Sequence, residues 1–162
     1  MHSLPKNVKV YSSGDIGLQK TTGSVVNMVK VILGLKGSGK TKQLLDLVHK
    51  AAQEDRCAVC IEKEAKLRYN IPTKVRHVST SNYGQKGFDF LKGLVCGLHA
   101  GNYDITDIFI DGLFKIVDGS DTGAVDEFLQ WLDKFGEQEN INFTLTLSID
   151  AADATEVMKK YA

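Results

Sequence analysis

Gly34-Leu35-Lys36-Gly37-Ser38-Gly39-Lys40-Thr41 is the stretch on which the reading of this chain turns. It fits the pattern GxxxxGK[ST], and the pattern has a physical logic. Glycines let the backbone curl closely around a phosphate so that successive N–H groups point inward, and a helix that follows adds the positive end of its dipole. In such a loop the lysine, Lys40, reaches the β- and γ-phosphates of a nucleotide, and the hydroxyl of Thr41 ligates Mg²⁺. The flanks supply the context this chemistry needs. Val29-Lys30-Val31-Ile32-Leu33 is a short apolar run rich in β-branched residues, and Leu44, Leu47, Val48 and Ala51 recur at helical spacing within residues 41–52. A strand, a glycine loop and a helix are therefore expected in that order.

The same alternation continues outward. Strands are predicted over 57–61, 75–78, 105–110 and 141–149, and helices over 88–99, around Val125 to Phe135, and over 152–161. Strands alternating with helices of ten or more residues imply an α/β fold in three layers: a mostly parallel sheet of five or six strands with helices on both faces. In the last strand Asn142, Thr144, Thr146 and Ser148 alternate with apolar residues. That alternation reads as a strand near the sheet edge, with one face partly uncovered.

The 162 residues, 43% apolar and 25% charged, suit one globular domain of about 150 residues. Twenty Lys plus Arg balance twenty Asp plus Glu, so bulk charge indicates neither a nucleic-acid nor a membrane-surface partner. No apolar run approaches the roughly 20 residues of a membrane span. Three cysteines do not suggest a disulfide framework, and a reducing, cytoplasmic setting is expected. Cys57 and Cys60 form a CxxC, but within a strand residues three apart point to opposite faces. Residues 1–27 are polar and glycine-rich without a sustained period, and read either as a peripheral arm or as an extension outside the working domain, which is expected to span residues 28–162.

A phosphate loop needs a second half, a strand ending in an acid that holds the Mg²⁺ shell. Ile108-Phe109-Ile110-Asp111 fits, with Asp111 at the strand's C-terminal end, where open α/β sheets hold their ligands. Asp107 precedes the apolar triplet and belongs nearer the strand's start. The residue after Asp111 is Gly112, so a glutamate does not follow the aspartate and general-base work has to come from elsewhere. Glu62 and Glu64, just past the second strand, are the substitutes at the same rim, against the alternative of a solvated charged loop. Ser148 and Asp150 end the last strand at that rim, as γ-phosphate sensors or as a surface turn. Lys36, Arg68 and Arg76 are available cations. Trp131, at helical spacing with Phe128 and Phe135, reads as core, and His49, His77 and His99 have no metal-ligand spacing.

The strand, the loop and the Asp111 strand together resemble the P-loop NTPase superfamily over residues 29–150. Within it, Ser38-Gly39-Lys40-Thr41 with Leu44-Leu45 and then Leu67-Arg68-Tyr69 looks like the first half of the thymidine kinase family. Where that family carries an acid two residues before Arg-Tyr this chain has Lys66, and where it has Asp-Glu this chain has Asp111-Gly112. From Met28 onward the chain also resembles small uncharacterised bacterial single-domain P-loop proteins, some labelled twitching-motility ATPases. The resemblance implies a P-loop NTPase fold with ATP and Mg²⁺ as cofactors.

Three functions follow as expectations. The first is Mg-dependent binding of a nucleoside triphosphate with weak or partner-stimulated hydrolysis, Lys40 and Glu62 being catalytic, residues 34–41 cradling the nucleotide, and Thr41 and Asp111 serving the metal. Its partners are the nucleotide and either a protein or a second copy of the chain. ATP is the default because no NKxD guanine signal follows Asp111. The second is a nucleoside-type kinase in which residues 69–87 form a lid hinged at Gly84 and Gly87. The third is a degenerate loop domain used only for interaction.

Overall fold

The computed structural model describes residues 26–162. The expectation about residues 1–27 therefore lies outside the described residues, save for Val26 and Asn27. Met28 is tied into the domain by its backbone: its N–H donates to Asp133 Oδ1 at 2.9 Å and its carbonyl accepts from Phe143 N at 2.7 Å.

Apolar residues in short β-branched runs form the strands β1 (Val29–Gly34), β2 (Ala58–Glu62), β3 (Arg76–Ser79), β4 (Asp107–Ile110) and β5 (Asn142–Ser148). Between and after them run α1 (Lys40–Gln53), α2 (Phe88–Gly101), the short α3 (Leu113–Val117), α4 (Thr122–Glu139) and α5 (Glu156–Tyr161). Helix starts follow local chemistry. Asp121 caps α4 by accepting from Ala124 N at 3.1 Å, and Thr155 caps α5 by accepting from Met158 N at 3.1 Å.

Among the described residues the strands make one five-stranded sheet in the order β1-β5-β4-β2-β3, every neighbouring pair parallel. Helices cover both faces, so the molecule is α/β. On one face α1 and the loop around Leu67, Ile71 and Val75 pack against Ile32, Cys60 and Phe109. On the other, residues of α2 to α5 pack against Val31, Ile61, Ile110 and Leu145. All five positions of β2 and all four of β4 are buried, as expected of parallel strands covered on both sides. Each fully buried Leu, Ile or Phe here contributes about 1.5–3 kcal/mol over its exposed state. Cys57 packs on the α2 side and Cys60 on the α1 side, the opposite faces expected of them. Trp131 stacks between Phe128 and Phe135 at the margin of the core.

Two expectations are corrected, and a third is refined. β5 does lie near an edge of the sheet, second in order beside β1, and among the described residues the edge strands are β1 and β3. Its apolar residues Phe143, Leu145 and Leu147 face the α2–α5 side, so its polar row faces α1 and the site, and Thr146 is only 2% exposed. Residues 69–87 are not a free lid, because they contain β3 and a 3₁₀ turn over Thr80–Tyr83, with Ile71, Val75 and Val78 buried. The fourth strand begins at Asp107 instead of Ile105. None of the described helices is long and apolar enough to cross a membrane.

Candidate functional site

Because all five strands are parallel, their C-terminal ends share one rim of the sheet, and the side chains singled out from the sequence meet there. Gly34 ends β1, and a Cβ on it would crowd the Ser38 side chain, so the loop folds back closely over a residue without one. Gly37 and Gly39 take left-handed φ values of 81° and 86°, which few other residues tolerate. Ser38 N donates to Leu35 O at 3.1 Å and closes the turn. Lys36 and Gly37 line the adjoining cavity, while Leu35 is 59% exposed and stands outward.

Helix α1 opens directly from this loop. Its N-cap is Gly39, with no side-chain acceptor over the first amides and no acid in the first turn. The positive end of the helix dipole is thus left for an external anion. Lys40, 8% exposed, donates from Nζ to Leu35 O at 2.8 Å. Burial holds its pKa below the ordinary lysine value, with Asp111 pulling the other way and Lys115 reinforcing the shift.

Thr41 Oγ1 lies 3.2 and 3.3 Å from the two carboxylate oxygens of Asp111. Thr146, one strand away on β5, donates from Oγ1 to Asp111 Oδ1 at 2.8 Å and accepts from Gly112 N at 2.7 Å. Asp111 N donates to Ile61 O at 2.8 Å, which ties the aspartate to β2 on its other side. Gly112 has φ 70°, a left-handed turn in which a glutamate would be strained. The missing glutamate therefore has a conformational reason. A cavity of about 310 Å³ opens among Lys36, Lys40, Thr41, Asp111, Thr146 and Ser148. A smaller one of about 140 Å³, bordered by Glu62 and Glu64, shares Thr41, Asp111 and Lys115 with it.

Glu62 is the last residue of β2 and not part of a solvated loop. It is 4% exposed, and its Oε1 accepts from Leu67 N at 2.8 Å and lies 2.7 Å from His77 Nε2. Glu64 is the solvated one: it is exposed and pairs with Lys66 at 2.7 Å. Ser148 reaches the larger cavity, but Asp150 does not, since its carboxylate accepts from Ala152 N at 2.9 Å within a surface turn. Arg76 begins β3 and so lies at the opposite rim, and Arg68 is exposed. Asp107 also lies at the opposite rim, where Arg56 Nε meets it at 2.8 Å. Lys115, on α3, lines both cavities and is the cation that sequence reasoning passed over. Thr146 and His77 were passed over as well. The polar row of β5 was the one available signal for Thr146, and it pointed to an edge.

Among the described residues no three His, Cys, Asp or Glu side chains form a metal cage. The Thr41 hydroxyl and the Asp111 carboxylate are hard oxygen donors, the set with which Mg²⁺ is held when phosphates and water complete its shell. The residues present fit that ion. In comparisons with known proteins, no family model matches this chain and no curated protein matches it either.

Proposed function

We propose that the chain is a P-loop protein that binds a nucleoside triphosphate, ATP by default, together with Mg²⁺, and hydrolyses it slowly. The observation that carries this reading is the opposition of two half-sites across the cavity of about 310 Å³: the glycine loop with Lys40, and the Thr41–Asp111–Thr146 cluster. Loop amides and the first turn of α1 bind phosphate oxygens, and Lys40 supplies an ammonium to them. Thr41 and Asp111 would hold the ion, which when bound would neutralise charge on the phosphates. Thr146 fixes one oxygen of Asp111, so the carboxylate is oriented before ligand arrives.

In the hydrolytic step a water oxygen bonds to the γ-phosphorus, and the bond from that phosphorus to the β–γ bridging oxygen breaks, its electron pair leaving with the nucleoside diphosphate. The water's proton passes to Glu62, the buried carboxylate that borders the small cavity beside Thr41 and Asp111, and from there to solvent. With no acid at Gly112, turnover is slow, and the bound nucleotide acts mainly as a conformational ligand for a protein partner or a second copy of the chain. The kinase alternative gains no support from residues 69–87, which contain β3 and bury Ile71, Val75 and Val78.

Equilibrium binding of ATP, ADP and GTP with and without Mg²⁺ tests the reading. Lys40→Ala is expected to weaken Mg-ATP binding by at least about 10-fold, the loss of one charge-assisted contact of 1.5–3 kcal/mol. Equal affinity in wild type and variant, or no binding by either, would sink it.

A further inference from the structure

Glu62 and His77 sit on neighbouring strands, two steps apart on one face. His77 is in register with Cys60 and Glu62 with Ser79, so the two side chains meet on the diagonal. His77 Nε2 lies 2.7 Å from Glu62 Oε1 with the two side chains only 16% and 6% exposed, and the Leu67 amide donates to the same oxygen. Both bonds thus fall on Oε1. Oε2 is left for a ligand of the small cavity that Glu62 shares with Thr41, Asp111 and Lys115. The small cavity shares Thr41, Asp111 and Lys115 with the larger one, so Glu62 borders the site as well as tying β2 to β3.

We infer that His77 is a positioning residue that locks the Glu62 carboxylate on Oε1, so that Oε2 takes the proton of the attacking water. This rests on the nucleotide-hydrolysis reading above. The proton balance is that of the step already written: Oε2 gains the water's proton and later gives it to solvent, while His77 keeps its own. The imidazole acts through the geometry of Glu62. A carboxylate free to rotate about its last side-chain torsion would spend much of its time aimed away from the water, and misplacement by about 1 Å costs up to about 10²-fold in rate.

The test uses the full chain and measures phosphate release at saturating Mg-ATP alongside ATP affinity. Glu62→Gln is expected to lower kcat by about 10²-fold or more, the ordinary worth of a general base. His77→Ala should lower kcat by about 10- to 100-fold while leaving KM and the ATP dissociation constant within about two-fold. His77→Gln, whose amide N–H can replace Nε2–H, should recover most of the loss. Thermal unfolding of each variant checks that it folds. Wild-type kcat in His77→Ala, a rise in KM parallel to the fall in kcat, or His77→Gln no better than His77→Ala would each overturn the inference. Mg-ATP binding by the wild type without phosphate release would overturn it too and leave nucleotide binding standing, whereas absence of binding would fell both readings.

Discussion

Replacing Thr146 with valine keeps the volume of the side chain and removes its hydroxyl. Asp111 Oδ1 then loses a donor, and Gly112 N loses its acceptor. An amide left unpaired in a partly buried place costs about 1–3 kcal/mol, so Thr146→Val should lower unfolding free energy by that order. The more telling outcome is selective: Mg-dependent ATP affinity falls while Mg-free affinity changes little, read by titration with and without the ion. Asp107, at the opposite rim, makes a different prediction. Its pKa is raised above the ordinary 3.8, chiefly by burial, with bonds from Thr106 and Arg56 offsetting part of the shift. A carboxyl with a raised folded pKa binds more protons folded than unfolded, so its contribution is fully present below the unfolded value and is lost as pH rises through the folded one. Urea unfolding should show the stability of wild type falling relative to Asp107→Asn as pH rises from below the ordinary carboxylate value through the raised one. A difference that is flat or grows with pH would exclude it. At this scale the sequence was most readable where residues lie close together along the chain. Lys40 and Thr41 follow a fixed spacing, and Asp111 closes an apolar triplet. Thr146 and His77 meet their partners only through strand neighbours, which spacing does not encode.

Among the elements, α2 and α4 carry glycines that do opposite things. Gly93 and Gly97 have open space where a Cβ would stand and no left-handed φ, so alanine there should stabilise the helix by about 0.5–1 kcal/mol each. Gly136 in α4 is pressed against its surroundings, with a Cβ meeting Ile141 O at 2.6 Å and Met28 Cβ at 2.7 Å, so Gly136→Ala should destabilise. Thermal melts of Gly97→Ala and Gly136→Ala should therefore move in opposite directions. The helices were legible because apolar positions repeat at the helical period, as Leu44, Val48 and Ala51 do in α1. The surroundings of the polar row of β5 were not. Alternation tells which residues share a face, but a polar row can face either bulk water or a polar site. Here Thr146 and Ser148 reach the cavity side of the sheet.

For the molecule as a whole, the class of fold followed from strands alternating with helices, and the right-handed crossovers of parallel sheets limited the arrangements. The order β1-β5-β4-β2-β3 remained open, because crossover connections of similar length suit several orders. That order, with every strand parallel, brings Glu62, Asp111, Thr146 and Gly34 to one rim, whereas Arg76 starts β3 at the other. Neutral overall charge coexists with Lys36, Lys40 and Lys115 around a single cavity, a local field suited to one small polyanion. The register of β1 with β5 has a consequence for how the protein is made. Val29 pairs with Phe143 and Gly34 with Ser148, and among the described residues β1 has no other strand beside it. As the chain emerges from the ribosome, the strand that carries the glycine loop is among the first described segments to appear and must wait for nearly the last. Until residues 142–148 have cleared the exit tunnel, Lys40 and Thr146 have no common rim, so a nascent or prematurely ended chain lacks the site. Nucleotide binding would then report that synthesis has passed β5.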